Sequence, residues 1–227
     1  AMGLASNLAL DALSDRLAGT TERAITAVVE RRGPAVARAA ERLRAEHPGR
    51  SPSEISRHAI SQTSKRVAGT GAVSALPAVI PGFGTIAEVG AAVGDASLLT
   101  VAQTELVLLV AHLHGRPVTD VEGRKLDVLM AMGVEAGVVD LRRNGVVRVM
   151  GRTHRDGELS DEAGARLAKP ISRRLAAVVV AKIARRRAYV LLGREVPVVG
   201  IGIAAGYNLW STRRVGHAAH RYFQHVS

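Results

Sequence analysis

Ile80-Pro81-Gly82-Phe83-Gly84-Thr85 sets an aliphatic residue before a proline, then two glycines one residue apart, then small residues suited to a helix. The pattern recurs as Val196-Pro197-Val198-Val199-Gly200-Ile201-Gly202, so the two stretches read as structural counterparts. Each continues into a small-xxx-small spacing, Gly90-Ala91-Ala92-Val93-Gly94 in the first and Gly202-Ile203-Ala204-Ala205-Gly206 in the second. On a helix that spacing gathers side-chain-poor surface on one face, where a second backbone can approach closely. The expected fold is therefore all-α, a single helical domain with two Gly/Pro-rich apolar helical segments packed at its centre. Gly82, Gly84, Gly90, Gly94, Gly200, Gly202 and Gly206 are its expected structural glycines. The plain alternative is that glycine and alanine are simply abundant in this chain.

Both segments also spell G-x-G-x-x-A, at Gly82, Gly84 and Ala87 and at Gly200, Gly202 and Ala205. A dinucleotide site needs a buried strand before the glycines and an acid about 20 positions later within a βαβ unit. Here proline precedes the glycines in a helical context, so the match is rejected. No G-x-x-x-x-G-K-[ST] loop occurs, and no cofactor is expected.

Outward from these segments, Leu4 to Val29 repeats apolar residues at helical spacing, and Pro34 fits the first turn of another helix reaching Glu46. His47-Pro48-Gly49 ends it. Ser51-Pro52-Ser53-Glu54 combines an N-cap hydroxyl, a proline at the first helical position and a capping-box carboxylate. Thr119-Asp120-Val121-Glu122 repeats that signal and opens a helix through about Met132. Val67 to Ala87 carries no charge, yet its prolines, glycines and hydroxyls dilute it below a membrane span, which needs about 20 apolar residues. It reads as two short helices joined near Pro81-Gly82, followed by a longer helix to about His114. A further helix is expected from Val134 to Arg152, with a possible break at Asn144-Gly145, then an exposed polar loop from Thr153 to Glu158. Pro170 introduces a helix to about Leu192 in which Leu175, Val179 and Ile183 share one face. No segment alternates apolar and polar residues long enough to demand a strand.

With 47% apolar residues in 227, the chain can bury a sizeable core. Only 3% are aromatic, so small side chains must pack closely in place of rings. The absence of cysteine excludes disulfides, thiolate metal ligands and cysteine catalysis, and the cytosol is the default compartment. The first residues show no charged leader and no cleavage pattern, so no secretory signal is expected. The net charge of +11 falls almost wholly in the second half: 11 Lys+Arg face 10 Asp+Glu up to residue 113, and 20 face 10 from residue 114 onward. Such a field suits anionic lipid, nucleic acid or an acidic protein partner.

Residues Arg66 to Gly133 and Pro197 to Phe223, about half the chain, resemble the EcsC family of bacterial proteins. The residues that carry the resemblance are Gly69-Thr70-Gly71, Leu76-Pro77, Pro81-Gly82-Phe83-Gly84, Asp95 with the apolar run to Leu113-His114-Gly115, and Val196-Pro197-Val198-Val199-Gly200 with Tyr207-Asn208. The resemblance implies a helical protein on or beside a membrane, from a family named for its association with a transporter operon and without an assigned activity. On this reading residues 1–60 form an N-terminal helical extension and residues 61–227 the EcsC-like helical domain.

Several residues could carry chemistry. Glu88, Asp95 and Glu105 interrupt an apolar region, and buried carboxylates must be paired or neutral. A salt bridge to an arginine from another helix is the structural expectation; a polar spot in a lipid or ligand cavity is the functional one. His217 and His220 stand three apart with His225 beyond, and His112 and His114 form a second cluster. No H-E-x-x-H pattern supports a metal, and none is expected. His154-Arg155-Asp156 matches a kinase triplet only as letters, and no G-x-S-x-G elbow exists, so no catalytic residue is assigned.

Tyr207, Trp210, Tyr222 and Phe223 hold most of the rings and mingle with Arg213, Arg214 and Arg221. Rings beside cations suit the lipid headgroup layer, and the same mixture suits single-stranded nucleic acid. The expected function is non-enzymatic: a protein peripheral to the membrane, accessory to a transport process, using Arg142, Arg143, Arg173, Arg174, Arg185, Arg186, Arg187, Arg213 and Arg214 on an anionic membrane surface. Pro81, Phe83, Glu88, Asp95, Pro197, Tyr207 and Trp210 would line a cavity for lipid or another apolar ligand. A basic nucleic-acid-binding module is the alternative, and a hydrolase using Glu88, Asp95 or a histidine the third.

Overall fold

A computed structural model describes residues 2–69, 96–116, 121–142, 146–149, 151–155, 174–186 and 197–226. The described chain is mostly helical, with one small sheet: α1 (Met2–Glu46), α2 (Pro52–Gly69), α3 (Ala96–Leu113), α4 (Val121–Ala136), three short strands, α5 (174–186) and α6 (Pro197–Val226). The first Gly/Pro-rich segment, including Pro81, Gly82, Phe83, Gly84, Glu88, Gly90, Gly94 and Asp95, lies outside the described residues.

The centre of the described molecule is α3. Every residue from Thr100 to Ala111 is buried, so the helix is enclosed on all sides and needs neighbours all round. It has them: α1, α2, α4 and α6 all pack against it. Ile25, Val28, Val29 and Val36 of α1 and Ile55 and Ile60 of α2 meet Leu106, Leu109 and Leu113, with Leu129 and Met130 of α4 and Val215 and Phe223 of α6 in the same core. Each such side chain stabilises the fold by about 1.5–3 kcal/mol on full burial.

Polar side chains also enter this core, and partners across helices fix how the helices register. Gln103 Nε2 of α3 donates to Ser211 Oγ of α6 at 2.9 Å. Tyr222 of α6 donates to Asp127 Oδ1 of α4 at 3.3 Å, while Arg116 Nε stands 3.4 Å from Asp127 Oδ2. Helix α2 opens as its cap predicts. Ser51 N–H donates to Glu54 Oε2 at 2.9 Å and Glu54 N–H donates back to Ser51 Oγ at 3.3 Å. The Ser51 hydroxyl, donating to the same Oε2 at 2.7 Å, and then the Ser51 N–H hold the Glu54 pKa below its ordinary value. The shared face of Leu175, Val179 and Ile183 on α5 is likewise buried.

Two expectations need correction. Pro34 does not begin a second helix but sits inside the continuous α1. Glu30, whose carbonyl loses its partner four residues before the proline, is exposed together with Arg31 and Pro34, so water can take that bond.

Residues 134–152 are not one helix. Gly137 takes φ of +67°, which ends α4, and Val138 N–H turns back to the Gly133 carbonyl at 2.8 Å. Then come β1 (Val139–Leu141), β2 (Val146–Val149) and β3 (Arg152–Arg155), paired antiparallel in the order β1-β2-β3, with β3 taking part of the expected polar loop. Val149 pairs with Arg152 across a two-residue turn whose Gly151 has φ of +85°. The strands are valine-rich, and burial alternates through Val147, Arg148 and Val149, so β-branched residues and period two override the helical reading.

Candidate functional site

The C-terminal half of α6 separates its two sides sharply. Ser211, Thr212, Val215, Ala218, Ala219, Tyr222 and Phe223 point into the core, whereas Trp210, Arg213, Arg214, His217, Arg221 and Gln224 face outward at three- and four-residue spacing. The aromatic residues thus divide. Tyr222 and Phe223 are core side chains, packed edge to face at 4.9 Å; Trp210 is 45% exposed, the one large apolar side chain so exposed among the described residues. Tyr207 lies half-buried beside it, with ring centroids 6.1 Å apart.

Helix α4 ends against this outward face. Glu135 is buried in the last turn of α4, where a carboxylate opposes the helix dipole and calls for cations. Arg186 Nη1 of α5 reaches its Oε1 at 2.5 Å and Arg214 Nε of α6 at 3.1 Å, while Lys182 Nζ donates to the Ala136 carbonyl at 3.0 Å. The same two guanidinium groups lie over the indole of Trp210, at 4.8 Å for Arg214 and 5.9 Å for Arg186. One carboxylate therefore places two cations on the face of an exposed indole.

Next to this cluster an open groove of about 430 Å³ runs along α6, lined by Val134, Glu135, Arg214, His217, His220 and Arg221. Behind it the two histidine clusters meet: His114 Nε2 at the end of α3 lies 3.0 Å from His220 Nδ1. Burial lowers the pKa of His220 to about 4, and the neighbouring His114, Arg57 and His217 add to the shift. Burial, then the charge of Arg44, lowers that of His114 as well. Both rings are neutral at pH 7 and share one hydrogen bond.

No protein-family model, curated protein or solved structure matches this chain.

Of the arginines expected on a surface, Arg174, Arg185 and Arg213 are exposed and have no partner among the described residues. Arg142 is 3.8 Å from Asp140, and Arg186 and Arg214 are engaged by Glu135. Arg143, Arg173 and Arg187 lie outside the described residues. Pro197 begins α6 and Gly200, Gly202 and Gly206 follow on it. Among the described residues nothing comes within 4 Å of a Cβ placed on Gly206. Close approaches fall instead at Gly33, against Arg124, at Gly133, against Val139, and at Gly216, where a Cβ would meet Ile60 at 2.8 Å and Leu106 at 3.1 Å. Glu105 has the cross-helix arginine expected of a buried carboxylate, Arg32 of α1, at 3.0 Å. Among the described residues no three His, Asp or Glu side chains converge to hold a metal.

Sequence reasoning passed over Glu135, Arg221 as a groove residue and the His114–His220 contact. An acid in a helix's last turn was the available signal for the first. Nothing local joins two histidines 106 residues apart.

Proposed function

We propose that this chain is an EcsC-like helical protein that binds an anionic membrane surface peripherally, on the cytoplasmic side, through the outward face of α6 and the adjoining end of α5. The observation that carries the reading is Trp210, nearly half exposed and flanked by Arg186 and Arg214. An indole favours the headgroup layer because its ring is apolar and its N–H can stay wet. Guanidinium groups alongside it meet lipid phosphates, and Arg213, three residues from Trp210, and Arg185, next to Arg186, are exposed to add to the attraction. Among the described residues no helix is long and apolar enough to cross a membrane, which is consistent with attachment by a surface. No reaction is assigned to the chain, and accessory work in membrane transport is the role that the family resemblance suggests.

Trp210 is the only tryptophan in the sequence, so its fluorescence reports this face alone. Anionic vesicles at low salt should float the protein and shift the Trp210 emission to the blue, and Trp210→Ala should weaken flotation. Absence of flotation, together with an unmoved emission, refutes the membrane reading. Steeply salt-dependent binding to DNA or RNA without vesicle binding replaces it with the nucleic-acid alternative.

A further inference from the structure

The groove beside Glu135 offers more chemistry than surface attachment needs. The only acid among its described lining residues, Glu135, is already held by Arg186 and Arg214. Arg221 and His217, both exposed along it, make no hydrogen bond or ion pair with any described residue. His220 is 8% exposed and lines the groove; its Nδ1 lies within hydrogen-bond distance of His114 Nε2, and its Nε2 makes no hydrogen bond with a described residue. Arg57 of α2 contributes positive charge from behind, enough to push on His220. A concave face thus combines uncommitted donors with no uncommitted acid, which selects an anion.

Geometry narrows the anion. A volume of about 430 Å³ has room for a headgroup-sized molecule. The planar fork of Arg221 matches two oxygens of a phosphate, and an imidazole on either side can serve another. A phosphate monoester has three terminal oxygens, enough for Arg221, His217 and His220 together, whereas a carboxylate has two.

We propose that this groove is a binding site for a phosphate monoester group, held by Arg221, His217 and His220 with Arg214 at its rim. The group can belong to a lipid headgroup of the phosphatidic acid kind or to a small soluble phosphate. Only the lipid source rests on the membrane reading above.

The test has two arms. In the first, inorganic phosphate is titrated into the full chain and followed by NMR of the histidine rings. Saturable shifts are expected at His217 and His220, weakened about tenfold by Arg221→Ala or His217→Ala, since a charge-assisted hydrogen bond is lost. Arg38→Ala, which removes an exposed α1 charge far from the groove in sequence, should leave the binding unchanged. In the second arm, vesicles of phosphatidylcholine with phosphatidic acid are compared with vesicles of equal surface charge made with phosphatidylglycerol, a diester. A preference for phosphatidic acid that vanishes in Arg221→Ala assigns the lipid source.

Phosphate binding without any vesicle binding keeps the groove, assigns the soluble source and ends the membrane reading. Equal binding to both vesicles without phosphate binding keeps the membrane reading and ends the groove. Phosphate binding that Arg221→Ala and His217→Ala leave untouched also overturns the proposal.

Discussion

Two arginine–glutamate contacts hold this molecule together in opposite surroundings. Between α1 and α3, Arg32 and Glu105 meet at 3.0 Å with side chains 7% and 1% exposed. Between α4, α5 and α6, Glu135 is as deeply buried, but its partners Arg186 and Arg214 are 36% and 46% exposed. In the first contact both charges have left water, so each depends on the other. In the second the cations remain wet and can turn toward an incoming anion. The same residue types therefore build a fixed joint at the core and an exchangeable one at the surface.

The comparison breaks most readily at the sealed pair. At pH 8, where Glu105 is ionised, Arg32→Ala should cost about 3–5 kcal/mol in denaturant unfolding, because it leaves that charge buried without its cation. The double replacement Arg32→Met with Glu105→Met should recover most of the loss. If Arg32→Ala costs no more than an ordinary surface substitution, the pair is not sealed in solution.

The two regions should also respond to pH with opposite signs. Desolvation raises the Glu105 pKa from 4.5 to about 7, against the pull of Arg32. The folded state then holds a proton that the unfolded state has released, so Glu105's contribution is full below pH 4.5 and is lost as pH climbs through 7. His220 is lowered from 6.5 to about 4, so its contribution is full above pH 6.5 and is lost as pH falls toward 4. Stability measured across pH 4 to 8 should lose its alkaline decline in Glu105→Gln and part of its acid decline in His220→Asn.

A smaller effect is expected at Gly216, where a Cβ would meet Ile60 of α2 at 2.8 Å and Leu106 of α3 at 3.1 Å. Gly216→Val must displace Ile60 and Leu106 and should cost roughly 1–3 kcal/mol by thermal or chemical unfolding. A neutral result would mean that α6 stands farther from α2 and α3 than the structure places it.

The smallest change belongs to the open joint. Glu135→Gln leaves two arginines that water can solvate, so a loss of about 1 kcal/mol is expected, shrinking as salt is added. The variant should bind anionic vesicles about fivefold more tightly in a flotation titration, as about 1 kcal/mol per added surface charge implies. Weaker vesicle binding would instead mean that Glu135 holds the arginines in the only geometry that works.

Local signals were the legible ones. Ser51 and Glu54 sit next to the helix they cap, and Leu175, Val179 and Ile183 declare a face by spacing alone. The sheet is not legible locally because Val138-Val139 and Val146-Val147 are apolar pairs within short runs, where helical and strand periods cannot be told apart. Tyr222 and Trp210 share one helix and one composition. Only the direction of each side chain separates a core ring from a surface ring, and that direction depends on helices far away in sequence. The groove escaped for the same reason: His114, Glu135 and Arg221 become neighbours only after α3, α4 and α6 have packed.

The central position of α3 also bears on how the chain is made. Its apolar surface is finished by α6, which begins more than 80 residues later. At about 5–20 residues per second, a ribosome delivers that cover on the order of several seconds after α3 itself. During that interval α1 and α2 can already shield part of the newborn segment, and the strip destined for Val215 and Phe223 stays bare, a natural hold for a chaperone on the nascent protein.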